Sequence, residues 1–186
     1  MHAHGDESVS EWVRRFAHLI PASGRVLDVA SGGGRHACFL AGLGFRVTAV
    51  DRDESALARL AGVNGVEAIV ADLEQGLWPF EGVRFAGVVV TNYLHRPLFG
   101  PLRDSLQPQG VLIYETFARG NERFGRPSNP QYLLEPGELL RVASSRLRVV
   151  AYEDLLTEQP RRAMVQRICA VNAIDIDAWH VEPPSR

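Results

Sequence analysis

Lysine is missing from this 186-residue sequence altogether, so all 20 basic side chains other than histidine are arginine. That absence excludes a Schiff-base lysine, a Walker-A phosphate loop and a lysine general base. Cysteine is scarce too. Cys38 and Cys169 form no Cys-x-x-Cys spacing that could start a structural zinc site, and each sits in an apolar stretch as a small hydrophobe. Neither sign of charge dominates. The formal net charge of -2 gives no global pull toward nucleic acid or an anionic membrane. No apolar run approaches the ~20 residues that span a bilayer, and the opening Met1-His-Ala-His-Gly-Asp-Glu7 lacks the apolar centre of a signal peptide. The expectation is a cytoplasmic protein with no membrane contact and no metal. His2, His4, His18, His36 and His180 are read as surface or packing residues.

What is present is a globular composition, 46% hydrophobic with both charge signs dispersed, and a length that suits one core. Trp12, Val13, Phe16, Leu19 and Ile20 recur at helical spacing behind a Ser10 cap. Strands are expected at 25–29, 45–50, 66–70, 85–91 and 111–117, separated by helices at 35–43, 54–60 and 98–106. Near-continuously apolar strands alternating with helices call for a parallel sheet covered on both faces. A polar loop at 118–130 follows, then a helix at 133–142. Two last strands, 147–152 and 164–171, are joined too closely for a helical crossover and should pair antiparallel. The organisation reads as a helical extension over 1–24, one domain over 25–172 and a tail over 173–186.

Asp28-Val-Ala-Ser-Gly-Gly-Gly34 follows a strand and opens a helix. Glycines let a ligand approach the backbone, and a helix start presents unpaired N–H groups. The same stretch satisfies Gly-x-Gly-x-x-Ala through Gly32, Gly34 and Ala37, a dinucleotide fingerprint. Three acids at successive strand ends shift the balance. Asp28 before the loop suits a ligand carrying positive charge better than a pyrophosphate. Asp51 can accept from two vicinal ribose hydroxyls, and Asp72 with Leu73 stands where an adenine would lie.

Val26-Leu-Asp-Val-Ala-Ser-Gly-Gly-Gly-Arg35, Val47-Thr-Ala-Val-Asp51, Ala71-Asp-Leu73 and Pro108-Gln-Gly-Val-Leu112 resemble the ordered motifs of class I S-adenosylmethionine-dependent methyltransferases. Gly34-Arg35, Leu40-Ala41 and Glu135-Pro-Gly-Glu-Leu139 resemble, within that class, the tellurite-resistance type of small methyltransferase. The resemblance implies a Rossmann-like α/β fold: a doubly wound, mostly parallel seven-stranded sheet with a terminal antiparallel strand and helices on both faces. It implies S-adenosylmethionine as cofactor and S-adenosylhomocysteine as product, held by Asp28, Ala30, Gly32, Gly34, Asp51, Arg52, Asp72, Leu73 and Asn92. Ala30-Ser31 departs from the family's usual glycine or cysteine, and both residues are small enough to be tolerated.

The fourth strand runs into Thr91-Asn-Tyr-Leu-His-Arg-Pro97, where the family places its active centre. The Asn/Asp-Pro-Pro-Tyr/Phe signature of amino-methylation on bases is absent. His95 has the natural pKa for a general base; Glu115 and Tyr93 are the other catalytic candidates. Arg96, Phe117, Arg119, Asn121 and Arg126 are candidate substrate contacts, the loop 117–129 being a possible lid. A small-molecule acceptor is expected. Methylation of RNA or protein through the arginine-rich loop, an NAD-dependent oxidoreductase and a catalytically silent binding module stay open as alternatives.

Overall fold

The computed structural model describes residues 8–22 and 24–173; the expectations for His2, His4 and His180, and nearly all of the tail, lie outside them. Seven strands form one sheet: β1 Arg25–Val29, β2 Arg46–Asp51, β3 Val66–Val70, β4 Phe85–Thr91, β5 Leu106–Phe117, β6 Arg148–Thr157 and β7 Ala163–Val171. Their order is β3-β2-β1-β4-β5-β7-β6. The first five strands run parallel, and β7 enters antiparallel between β5 and β6. The expected fold class and the antiparallel final pair are what the structure contains.

Period-two geometry explains why the strands read as unbroken apolar runs. In β4, Val88 and Val90 enter one core cluster and Val89 the other; a register shift between Phe85 and Gly87 resets the parity, so that Phe85 joins the first and Ala86 the second. On the second face lie α1 (Glu11–Phe16), α2 (Arg35–Gly42) and α3 (Glu54–Leu57); on the first lie α4 (Phe99–Asp104) and α5 (Glu138–Ser144). The segment read as an extension packs into the second cluster through Trp12, Val13 and Phe16, all buried. The Ser10 hydroxyl caps α1 by accepting from the Trp12 and Val13 N–H groups at 3.1 and 3.4 Å.

Two element boundaries differ from expectation. The helix foreseen at 133–142 begins only at Glu138. Pro136 lacks the N–H that a helix interior needs, and Gly137, at φ +68°, turns the chain left-handed into the helix. Leu133 and Leu134 are fully buried and extended instead, with Leu134 bridged to Ala118. The fifth strand starts at Leu106 rather than Val111, so the helix foreseen at 98–106 stops at Asp104. No helix among the described residues is long and apolar enough to cross a membrane.

Candidate active site

Parallel strands end together, and the turns that follow β1, β2, β3 and β4 enclose a cleft of about 200 Å³. It is lined by Ala30, Asp51 and Arg52 after β1 and β2, by Ala71, Asp72, Leu73 and Glu74 after β3, and by Tyr93 after β4. The glycine loop follows Ala30 of this lining, and its backbone is left-handed at two glycines. Gly32 stands at φ +53° with open space where a Cβ would project. Gly34, at φ +75°, caps α2, and a Cβ there would fall 2.3 Å from Leu60 Cδ2. Ala30 and Asn92 also take left-handed backbone, at φ +51° and +56°. For alanine this costs ~1–2 kcal/mol, a strain that the residue type alone did not announce.

Asp51 holds the loop in place. Its Oδ2 accepts from the Gly32 N–H at 2.7 Å, and its Oδ1 accepts from the Asp53 N–H at 2.9 Å. A carboxylate has about four acceptor positions, so lone pairs remain for a ligand in the cleft. Asp72 is anchored in the same way, by the Glu74 N–H at 2.9 Å.

Asp28 is placed differently. It shares strand parity with Val26 and is buried under α2 at 1% exposure. Burial pushes its carboxyl up to about 7, against the smaller opposing effects of the Ala37 N–H and the Arg35 charge. One carboxyl oxygen, Oδ2, is buried without a hydrogen-bond partner. Beside it in α2, His36 is 2% exposed. Its Nε2 accepts from the Ser10 N–H at 3.1 Å, which leaves Nδ1 to carry the proton and donate to Thr91 Oγ1 at 3.3 Å. Burial first, and Arg35 second, pull that imidazole down to about 3. His36 is therefore a neutral strut tying α1 and α2 to the end of β4.

A larger cavity of about 520 Å³ opens where β5 and β7 meet the start of α1. Glu115 and Asn92 lie in its wall, and the Asn92 N–H donates to the Glu115 carbonyl at 2.9 Å. Glu115 Oε1 accepts from Ser10 Oγ at 2.9 Å, and Oε2 accepts from Arg167 at 3.2 Å. Phe117, Val165 and Ala163 supply apolar wall; Ser8, Val9 and Arg35 close the side nearest α2.

The remaining expected site residues separate into groups. Tyr93 joins the smaller cleft, where burial and the neighbouring Glu74 and Asp72 push its hydroxyl above the ordinary range. His95 precedes a 3-10 turn, Arg96–Leu98, and lines neither cavity. Arg96 makes a two-pronged pair with Glu138 at 2.7 and 2.9 Å, donates to the carbonyls of Gln131 and Leu133, both at 2.9 Å, and lines neither cavity. Arg119 is paired with Glu135 at 2.9 Å. Asn121 is buried and fastens its own loop by donating to the Pro127 carbonyl at 2.9 Å. Compact turns fold all three of these side chains back onto the 118–138 segment. Arg126 faces a separate open cleft with Asn129, Tyr132 and Arg161. Sequence reading missed Ser10, Glu74, Arg161 and Arg167 as lining residues. Arg167 had one legible sign, lying on the opposite strand parity to Gln166 and Ile168. No group of three or more metal-ligating side chains occurs among the described residues.

Residues 26–110 match the methyltransferase domain family, and no curated protein matches the sequence. Among solved structures, TehB from Haemophilus influenzae superposes with a TM-score of 0.71 at 18% identity, over 88% of this chain and 62% of that one. The chain thus spans under two thirds of that protein's length. A SAM-dependent methyltransferase from Methanosarcina mazei superposes with a TM-score of 0.67 at 15% identity, over 90% of this chain and all of the other. The glycopeptide N-methyltransferase MtfA, in complex with S-adenosylhomocysteine, gives 0.63 at 21% identity, over 90% of each chain. The chain thus has the fold of SAM-dependent methyltransferases.

Proposed function

We propose that the chain transfers the methyl group of S-adenosylmethionine to a small molecule seated in the larger cavity. The observation that carries this is the arrangement at the sheet's carboxyl edge: a cleft lined by Asp51, Asp72 and Leu73 beside a roomier cavity walled by Asn92, Glu115 and Phe117. The sulfonium supplies an electrophilic methyl and a good leaving group, so the protein's contribution is mostly placement.

The residues present suit that cofactor. Asp51 keeps lone pairs for ribose hydroxyls. Leu73 and Asp72 can meet an adenine at its edge, and Tyr93 adds an aromatic wall. Gly32 leaves room for close approach, and the partnerless Oδ2 of Asp28 puts an acceptor beneath the loop at the amino-acid end. In the larger cavity, Glu115 is the group able to take a proton from an acceptor that carries one; its hydrogen bonds from Ser10 and Arg167 fix its orientation. His95, outside both cavities, has no part in this reading.

Acceptor-dependent formation of S-adenosylhomocysteine tests it. Turnover on a panel of small phenols, amines, thiols and carboxylates is expected, with Glu115→Gln lowering kcat at least tenfold on acceptors that must lose a proton. Turnover on RNA alone, with binding that falls steeply with salt, would overturn the small-molecule assignment.

A further inference from the structure

Charged groups in the larger cavity are not equivalent. Arg167 is neutralised by Glu115 at 3.2 Å and Glu153 at 2.7 Å, and it stacks 5.2 Å above the Trp12 ring. Glu115 is thereby committed to a cation of its own protein and is not a free anchor for a positively charged acceptor. Arg161 differs. Its guanidinium lies 5.0 Å from the Phe117 ring centroid, and its one hydrogen bond is a donation to the Arg126 carbonyl at 3.3 Å. Among the described residues neither Arg161 nor Arg126 has a carboxylate partner, whereas Arg96, Arg119 and Arg162 each have one.

Arg161 also belongs to two spaces at once. It lines the larger cavity and the open cleft of about 410 Å³ that it shares with Arg126, Ser128, Asn129 and Tyr132. The apolar surface offered by Phe117, Ala163 and Val165 therefore runs from Glu115 toward two uncompensated guanidinium groups. An unpaired guanidinium stacked on an aromatic ring is a preorganised fork for a carboxylate or similar oxyanion.

We infer that the acceptor is an amphipathic small anion, its apolar body packed on Phe117 and Val165 and its carboxylate or like oxyanion bound by Arg161 with help from Arg126. This rests on the larger cavity being the acceptor site. The end of the molecule nearer Asn92 and Glu115 then receives the methyl group, and the anionic end fixes its direction. Arg161 is a specificity-determining residue, remote from the reacting atoms.

The test is calorimetric titration with benzoate, phenyl phosphate, benzamide and benzylamine, on the chain with and without saturating S-adenosylhomocysteine. At least one of the two anions is expected to bind tenfold or more tightly than the neutral and cationic probes. Arg161→Gln should abolish that preference and Arg161→Lys restore it in part, with the thermal midpoint unmoved because the side chain is exposed. Equal binding of benzamide or benzylamine, no binding of either anion, or an intact preference in Arg161→Gln would overturn the inference. So would tight, salt-steep binding of a poly(U) strand that outcompetes phenyl phosphate. Failure of S-adenosylhomocysteine to bind would defeat the cofactor assignment instead, while the cofactor-free titration still reads the Arg161 preference.

Discussion

At the scale of single residues, the glycine loop after β1 is held in conformations that its side chains do not all favour. Ala30 at φ +51° carries a left-handed cost of ~1–2 kcal/mol. Glycine there would relieve it and return only ~0.4–1 kcal/mol of chain entropy to the unfolded state. Ala30→Gly is therefore expected to stabilise the fold by about 0.5–1 kcal/mol, read as a higher urea midpoint at constant m. Asp28 sets a pH dependence of definite sign. Its folded pKa is raised to about 7 from an ordinary 3.8, so between those values the folded chain holds a proton that the unfolded chain has released. Stability from this group is complete in acid and is lost as pH rises toward 7. His36, pulled down from 6.5 to about 3, acts oppositely and loses stability as pH falls from 6.5 toward 3. The two offset each other between about pH 4 and 6.5. Asp28→Asn should consequently raise the thermal midpoint above that of the parent chain at pH 8, and the gain should vanish near pH 4. An unchanged gap across that range would mean that Asp28 is not a buried titrating group.

At the scale of elements, the segment between β5 and α5 is tied down by side chains rather than by regular structure. Arg96 and Glu138 form one clasp. Buried Gln166 forms another, donating to the Glu135 carbonyl at 2.7 Å and accepting from the Leu139 N–H at 3.1 Å. Arg96→Met removes four donated hydrogen bonds and leaves Glu138 without its cation, at a cost of about 2 kcal/mol. Chemical denaturation should show that loss while affinity for S-adenosylhomocysteine stays within twofold, since Arg96 lines neither cavity. Local signals were legible in the sequence: the five parallel strands, the Ser10 cap, the antiparallel close, and the acids at the end of β2 and just after β3. Illegible were features decided by distant partners. Arg96 looks in sequence like a cation next to an active centre, and only the fold brings Glu138 to it across 42 residues. Leu133 and Leu134 have helical neighbours in sequence, but pairing with β5's exit claims the Leu134 backbone, while Leu133 is held by Pro130 and Arg96. Arg161 lies on a connection between two strands, with nothing in its neighbourhood to announce Phe117 beneath it.

At the scale of the whole molecule, the parallel order places four strand ends along one rim and divides the work along it. The β1–β2–β3 side carries acids that suit a ribose and an adenine, while the β5–β7 side carries a wider, partly apolar chamber bounded by α1. The central assignment is that the smaller cleft holds the adenosyl part of S-adenosylmethionine. Calorimetric titration with S-adenosylhomocysteine and NAD in parallel tests it most directly, using Asp51→Asn as control. Micromolar binding of S-adenosylhomocysteine, no heat from NAD and at least a tenfold loss in Asp51→Asn are expected. Binding of NAD alone, or an affinity that Asp51→Asn leaves intact, would place the ligand or the site elsewhere.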